Sequence, residues 1–261
     1  MNGVAQPAQP HRRSIGVGGA TIEVATWGDG PPEIVLLHDG LGSIAQFRDL
    51  PGDLAQDAGM TVMAYNRPGH GTSSPAPSSV WPVDWLHREA ALLGDLLAQL
   101  SVKRPLLVGH SDGGSIALIH AAADPESVRG LVALASHSFV EDLNLTKIRA
   151  MRSDRGRWVT GLSRFHPHAA ELFEAWSGVW VDRGFRAWDI RGDLGAISAP
   201  TLVVQGGDDE YGTEVMATDT AAAIGSNAEC VLLAGAGHLL PQQAPDQVIK
   251  LVAGLLARLA D

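Results

Sequence analysis

The chain of 261 residues is short of several things. It has one cysteine, Cys230, which excludes an intrachain disulfide and any multi-thiolate zinc site. Aromatic residues make up 5% of it, with only two tyrosines. Positive charge is also scarce. The 19 Lys and Arg stand against 29 Asp and Glu, for a formal net charge of −10. A nucleic-acid partner, which needs a clustered basic surface, is therefore not expected. No run reaches the roughly 18 apolar residues of a membrane-spanning helix. The first 14 residues are polar and Pro-rich and lack the apolar stretch of a secretory signal. No H-E-x-x-H motif occurs, and His166-Pro167-His168 has no partner set at metal-ligand spacing. The expectation is a cytoplasmic protein with no metal, no other cofactor, and no nucleic-acid or membrane partner.

What is present is an ordinary globular mixture, 45% hydrophobic and 18% charged, long enough to bury one full core. Residues 14–27 alternate around Gly18-Gly19 and predict an opening β-hairpin. Short aliphatic runs follow at 33–38, 61–65, 105–108, 128–134, 200–204 and 230–233. Such near-continuous runs suit strands buried on both faces of a parallel sheet. Helical patterns lie between them, at 45–58, 85–100, 115–123, 213–224 and 245–259. In the second of these, Leu92, Leu93, Leu96, Leu97 and Leu100 form one apolar stripe. The fold class is thus α/β, a mostly parallel central sheet flanked by helices. One block breaks the alternation. Residues 138–195 hold no strand-like run and are too many for a plain connection. They predict a helical cap inserted between core segments 1–137 and 196–261.

Chemistry concentrates at the ends of three predicted strands. Gly109-His110-Ser111-Asp112-Gly113-Gly114 follows a strand and opens a helix. A serine on such a turn stands clear of the sheet, and the helix N-terminus lends N–H groups to an oxyanion. Its hydroxyl needs a base, and the base an orienting acid. Both can come only from later loops at the carboxyl edge of the sheet. Gly206-Gly207-Asp208-Asp209-Glu210 and Gly235-Ala236-Gly237-His238 are those loops, and only one of the three adjacent acids can face the histidine. Asp209 is the preferred acid over Asp208. In the loop His38-Asp39-Gly40-Leu41-Gly42, Gly40 is the expected second oxyanion donor beside the N–H of Asp112.

These segments together resemble the α/β-hydrolase fold family over nearly the whole chain. Tyr65-Asn66-Arg67-Pro68-Gly69-His70-Gly71-Thr72-Ser73 fits as well, and the G-x-x-D spacing of the family puts the acid at Asp209. Within that family the chain resembles small capped carboxylesterases and the biphenyl-hydrolase-like branch. Two departures stand out. The family's His-Gly pair in the oxyanion loop reads His38-Asp39, and its Asp-x-Arg-Gly run reads Asn66-Arg67-Pro68-Gly69. A serine at the elbow separates the chain from the dehalogenase and epoxide hydrolase branches, which use aspartate.

The resemblance implies a serine hydrolase with Ser111, His238 and Asp209 as triad, acting on a small ester or related acyl compound. Alternatives are a carbon–carbon bond hydrolase or cyclising enzyme on the same triad, or a hydrolase-shaped receptor without turnover. Candidate substrate contacts are His38, Asp39, His110, His137, Trp176 and Trp180. More than half of the aromatic residues fall in the cap, from Phe139 to Trp188. Phe173, Trp176 and Trp180 share one helix face, which either packs the cap down or forms an aromatic wall for an apolar or aromatic acyl group. Lys147, Arg149, Arg152, Arg155 and Arg157, offset only by Asp154, form either a solvated face or an attractor of anionic substrates.

Overall fold

The computed structural model describes residues 9–260. The hairpin consists of β1 (His11–Val17) and β2 (Ala20–Trp27). Gly18 and Gly19 turn between them at φ +58° and +82°, the left-handed pair that a two-residue hairpin turn requires. β1 starts earlier than the alternation predicts, because cross-strand pairing with β2, not burial, carries residues 11–13. The remaining strands are β3 (Ile34–Leu37), β4 (Val62–Asn66), β5 (Leu106–His110), β6 (Gly130–Leu134), β7 (Thr201–Gly206) and β8 (Ala228–Leu233). The sheet runs β1-β2-β4-β3-β5-β6-β7-β8. β1 and β2 are antiparallel, and every pairing from β4 onward is parallel.

The aliphatic runs are buried on both sides, and successive residues serve opposite faces. In β3, Ile34 and Leu36 pack with Leu50 and Leu54 of α1 (Leu50–Ala58) and with Val248, Val252 and Leu255 of α8 (Pro245–Ala260). Val35 and Leu37 point the other way, into a core shared with α2 (Trp85–Gln99), α3 (Asp112–Ala123) and α7 (Glu214–Ile224). Each fully buried aliphatic side chain contributes about 1.5–3 kcal/mol.

Two helices differ from the sequence reading. The pattern at 45–58 is split into a short 3₁₀ turn, Ile44–Phe47, and α1, with Arg48 at φ +55° between them. Pro51 explains the restart, since a proline has no N–H to donate back into a preceding turn. α3 starts at Asp112, earlier than the pattern at 115–123 indicates, taking Gly113 and Gly114 into its first turn.

Between β6 and β7 lie α4 (Asp142–Ser153), α5 (Arg155–Leu162) and α6 (Ala169–Trp180). Ile148, Met151, Phe173, Trp176 and Trp180 of these helices belong to the same apolar cluster as α2 and α3. Among the described residues, no helix is long and apolar enough to cross a membrane.

Candidate active site

Ser111 sits between β5 and α3, at the carboxyl edge of the sheet, with φ +53° and ψ −121°. A side chain rarely tolerates that backbone, so close packing must impose it. The neighbouring glycines are the means. A Cβ on Gly109 would collide with the Gly113 carbonyl, and one on Gly113 with the carbonyl of Leu37. β3, β5 and α3 can therefore approach one another only without side chains there. The Ser111 N–H donates to the Leu134 carbonyl at 2.8 Å and ties the turn to β6.

Ser111 Oγ lies 3.0 Å from His238 Nε2, and His238 Nδ1 lies 2.9 Å from Asp209 Oδ2. His238 hangs from the loop after β8, and Asp209 from the loop after β7. Asp209 also accepts hydrogen bonds from Gln205 Nε2 at 2.7 Å and from the N–H groups of Tyr211 and Gly212 at 2.7 and 3.1 Å. Burial opposes its charge, but His238 and the N–H groups of Tyr211 and Gly212 hold its carboxyl below the usual range. Asp208 is exposed and makes no contact with His238. Glu210, which carried no role in the sequence, accepts the His238 backbone N–H at 3.3 Å.

Ser111 and His238 open onto a cavity of about 250 Å³, lined also by Asp39, Gly40 and Asp112. No partner among the described residues takes the backbone N–H of Gly40 or of Asp112. The Asp112 side chain turns inward, 1% exposed, and its Oδ2 accepts Trp176 Nε1–H at 2.8 Å. His137 Nε2 lies 3.1 Å from the other oxygen, Oδ1, but out of line for a hydrogen bond. The residue after the serine thus ties α6 to the turn. Gly40 fits beneath this contact, since a Cβ there would collide with Trp176 Nε1.

Of the six predicted substrate contacts, Asp39, His137, Trp176 and Trp180 line the cavity. His38 and His110 do not. His38 is buried behind its loop, where Nε2 accepts the Arg67 N–H at 3.2 Å. His110 Nε2 bonds the His238 carbonyl at 2.8 Å, and Nδ1 lies 3.5 Å from Asp39 Oδ2. Both are brackets within the scaffold, because Ser111, not its predecessor, is the residue the turn pushes outward. Asp39 is drawn down to about 2: burial works against its charge, but His110, the Leu41 N–H and His238 outweigh it.

The sequence reading missed Tyr211, Trp158 and Met216 as lining residues. Tyr211 stands two residues past Asp209, and its ring lies 4.8 Å from that of His238. Its place in the acid loop was the available signal. Met216, in the first turn of α7 after the acid loop, and Trp158, on a helix remote in sequence, gave none. The basic run lies away from this cavity. Arg152 bonds Ser177 Oγ at 2.6 Å, Glu174 engages Arg152 and Arg155, and none of the five lines the cavity around Ser111.

The sequence pattern of the alpha/beta hydrolase family matches residues 34–251. The chain belongs to that family. Among its relatives, serine hydrolase BPHL of Homo sapiens is 29% identical over 209 residues, covering 75% of this chain and 69% of that one. The 2-succinyl-6-hydroxy-2,4-cyclohexadiene-1-carboxylate synthase of Enterobacter sp. (strain 638) is 30% identical over 148 residues, 56% of this chain and 52% of the other. The enol-lactonase of Burkholderia xenovorans LB400 superposes with a TM-score of 0.74 at 19% identity, covering 94% of this chain and all of that one. The chain is thus an enzyme of that family, and its relatives are hydrolases.

Proposed function

We propose that the protein is a serine hydrolase that cleaves a small ester through an acyl-enzyme. The observation that carries this reading is the unbroken path from Ser111 Oγ to His238 at 3.0 Å and on to Asp209 at 2.9 Å, with Ser111 and His238 lining the cavity. Ser111 attacks the carbonyl while His238 takes its proton. Asp209 fixes the tautomer with the proton on Nδ1 and stabilises the imidazolium. The N–H groups of Gly40 and Asp112, free of other partners, hold the oxyanion. His238 then passes that proton to the departing alcohol as its bond to the carbonyl carbon breaks, leaving the acyl-enzyme. The neutral imidazole next takes a proton from a water that attacks the acyl carbon and releases the acid and Ser111. Trp158, Trp176 and Trp180 offer an apolar wall suited to an apolar or aromatic acyl group.

A fluorophosphonate should label the wild-type protein and leave Ser111→Ala untouched. The same variant should lose p-nitrophenyl ester turnover by orders of magnitude, retaining roughly the 10³-fold left by binding and oxyanion contacts. Retention of a tenth of the activity in a folded Ser111→Ala protein removes Ser111 from the nucleophile's role. The likeness to the cyclohexadiene carboxylate synthase favours a second reading, a cyclising or carbon–carbon cleaving enzyme on the same three residues. A nitrophenolate burst supports the esterase. No acyl-enzyme despite an intact site supports the alternative.

A further inference from the structure

A second hollow, of about 470 Å³, adjoins the cavity at Ser111 and shares three of its walls, Gln46, Trp158 and Leu162. Arg157, Gly161, Arg164 and Phe165 complete it, all of them exposed, so it is an outer chamber on the solvent side of the cavity. Both arginines are underused. Arg157 has an 85% exposed side chain and its nearest carboxylate, Asp154, is 3.9 Å away. Arg164 is exposed and forms no ion pair among the described residues. Elsewhere in the same run, Arg152 and Arg155 are held by Glu174, while Arg149 of α4 forms no ion pair among the described residues but lies outside this hollow. In a chain of net charge −10, two uncommitted guanidinium groups at the mouth of the cavity call for a counter-charge.

The inner end has the opposite sign. Asp39 and Glu210 line it, and an anion beside the scissile carbonyl would meet their repulsion. An anionic group on the substrate is therefore accepted only at the outer end. A guanidinium fork suits a carboxylate or phosphate, and Trp158 and Phe165 flank an apolar arm leading to it.

The geometry points to an outer anion subsite at Arg157 and Arg164, which selects acyl compounds bearing a carboxylate or phosphate at the end remote from the scissile bond. This rests on the hydrolase reading above and adds the substrate class. Charge at both ends also orients the substrate, apolar and reactive part inward, anion outward.

The test uses p-nitrophenyl monoesters of a ladder of dicarboxylic acids, each paired with its methyl-capped analogue. At one or more chain lengths the free carboxylate should raise kcat/KM about three- to tenfold over the capped partner, the scale of two solvent-exposed charge contacts. The ratio should shrink at high salt, and should fall to about one in Arg157→Gln/Arg164→Gln. Lys147→Gln/Arg149→Gln removes the same charge from α4, outside the chamber, and should keep it. A ratio at or below one at every length overturns the subsite, as does a ratio that survives the Arg157/Arg164 change or is lost equally in the Lys147/Arg149 control. If no ester is turned over, calorimetric binding of the longest dicarboxylate and its monomethyl ester to Ser111→Ala decides the matter separately. A preference for the dicarboxylate that depends on Arg157 and Arg164 upholds the subsite while the esterase reading falls; equal affinities overturn the subsite as well. Addition of inorganic phosphate distinguishes the two anions, since a phosphate-selective subsite is blocked by it at concentrations where acetate has no effect.

Discussion

Ser111 keeps a backbone conformation that costs on the order of 1–3 kcal/mol in an ordinary side-chain residue. That cost is offset by the burial of β5 and α3 around it, and its return is a hydroxyl held 3.0 Å from His238. The same scale governs the acid. Asp209 faces His238 and receives two backbone N–H groups, whereas its neighbour Asp208 faces solvent. Asp209→Asn should thus lower kcat by about 10⁴, as the amide favours the wrong tautomer and removes the counter-charge. Asp208→Asn should stay near wild type. Steady-state kinetics on one ester checks both, and the reverse ranking would transfer the role to Asp208.

At the scale of elements, the site is a junction of α3, the loop after β3, and α6. Gly113 lets the first turn of α3 rest against the carbonyls of Leu37 and His38. Gly113→Ala should push these apart and cost about 1–3 kcal/mol, the range for overpacking a tight contact. Urea unfolding measures this, and an unchanged midpoint would show that the contact is loose. α6 joins the same junction through Trp176, whose indole N–H ends on Asp112 and covers Gly40. α6 is therefore fastened to the residue after the serine. A change in α6 is felt at Gly40 as well as at the cavity wall.

For the whole molecule, the distribution of buried histidines sets the response to pH. His38, His70, His120 and His166 are held below their ordinary value of 6.5 by burial, His70 down to about 3. The unfolded chain takes up protons on these groups before the folded one does. Their contribution is therefore complete above pH 6.5 and is lost as pH falls from there toward the folded values, at up to about 1.4 kcal/mol per unit for each. Asp39 and Asp209, held below 3.8, add to the loss at lower pH. Glu89, raised to about 7 chiefly by burial, acts in the opposite sense: its contribution is full below 4.5 and is lost as pH rises through about 7. Four histidines against one glutamate predict a net fall in Tm between pH 7 and pH 5. Differential scanning calorimetry checks it, and a Tm that rises over this range would refute the burial of these rings as neutral groups.

The sequence alone determined the α/β alternation, because strands buried on both faces must be aliphatic throughout, as Ile34 to Leu37 are, and flanking helices must carry stripes. It also marked Ser111, Asp209 and His238, since loops at the carboxyl edge of a parallel sheet converge on one place and glycines marked the turns. It did not separate Ser111 from its neighbours in exposure. His110 and His38, close to Ser111 and Gly40 in sequence, became internal brackets once the turn direction was fixed by packing. Nor did it give the inner wall, where Tyr211, Trp158 and Met216 meet from separate helices and loops. Likewise, the arginine run divides: Glu174 holds Arg152 and Arg155, while Arg157, 3.9 Å from Asp154, borders the outer chamber. Local pattern records burial and periodicity. Which remote side chains share a cavity depends on the packing of helices on the sheet, and only the tertiary structure decided that.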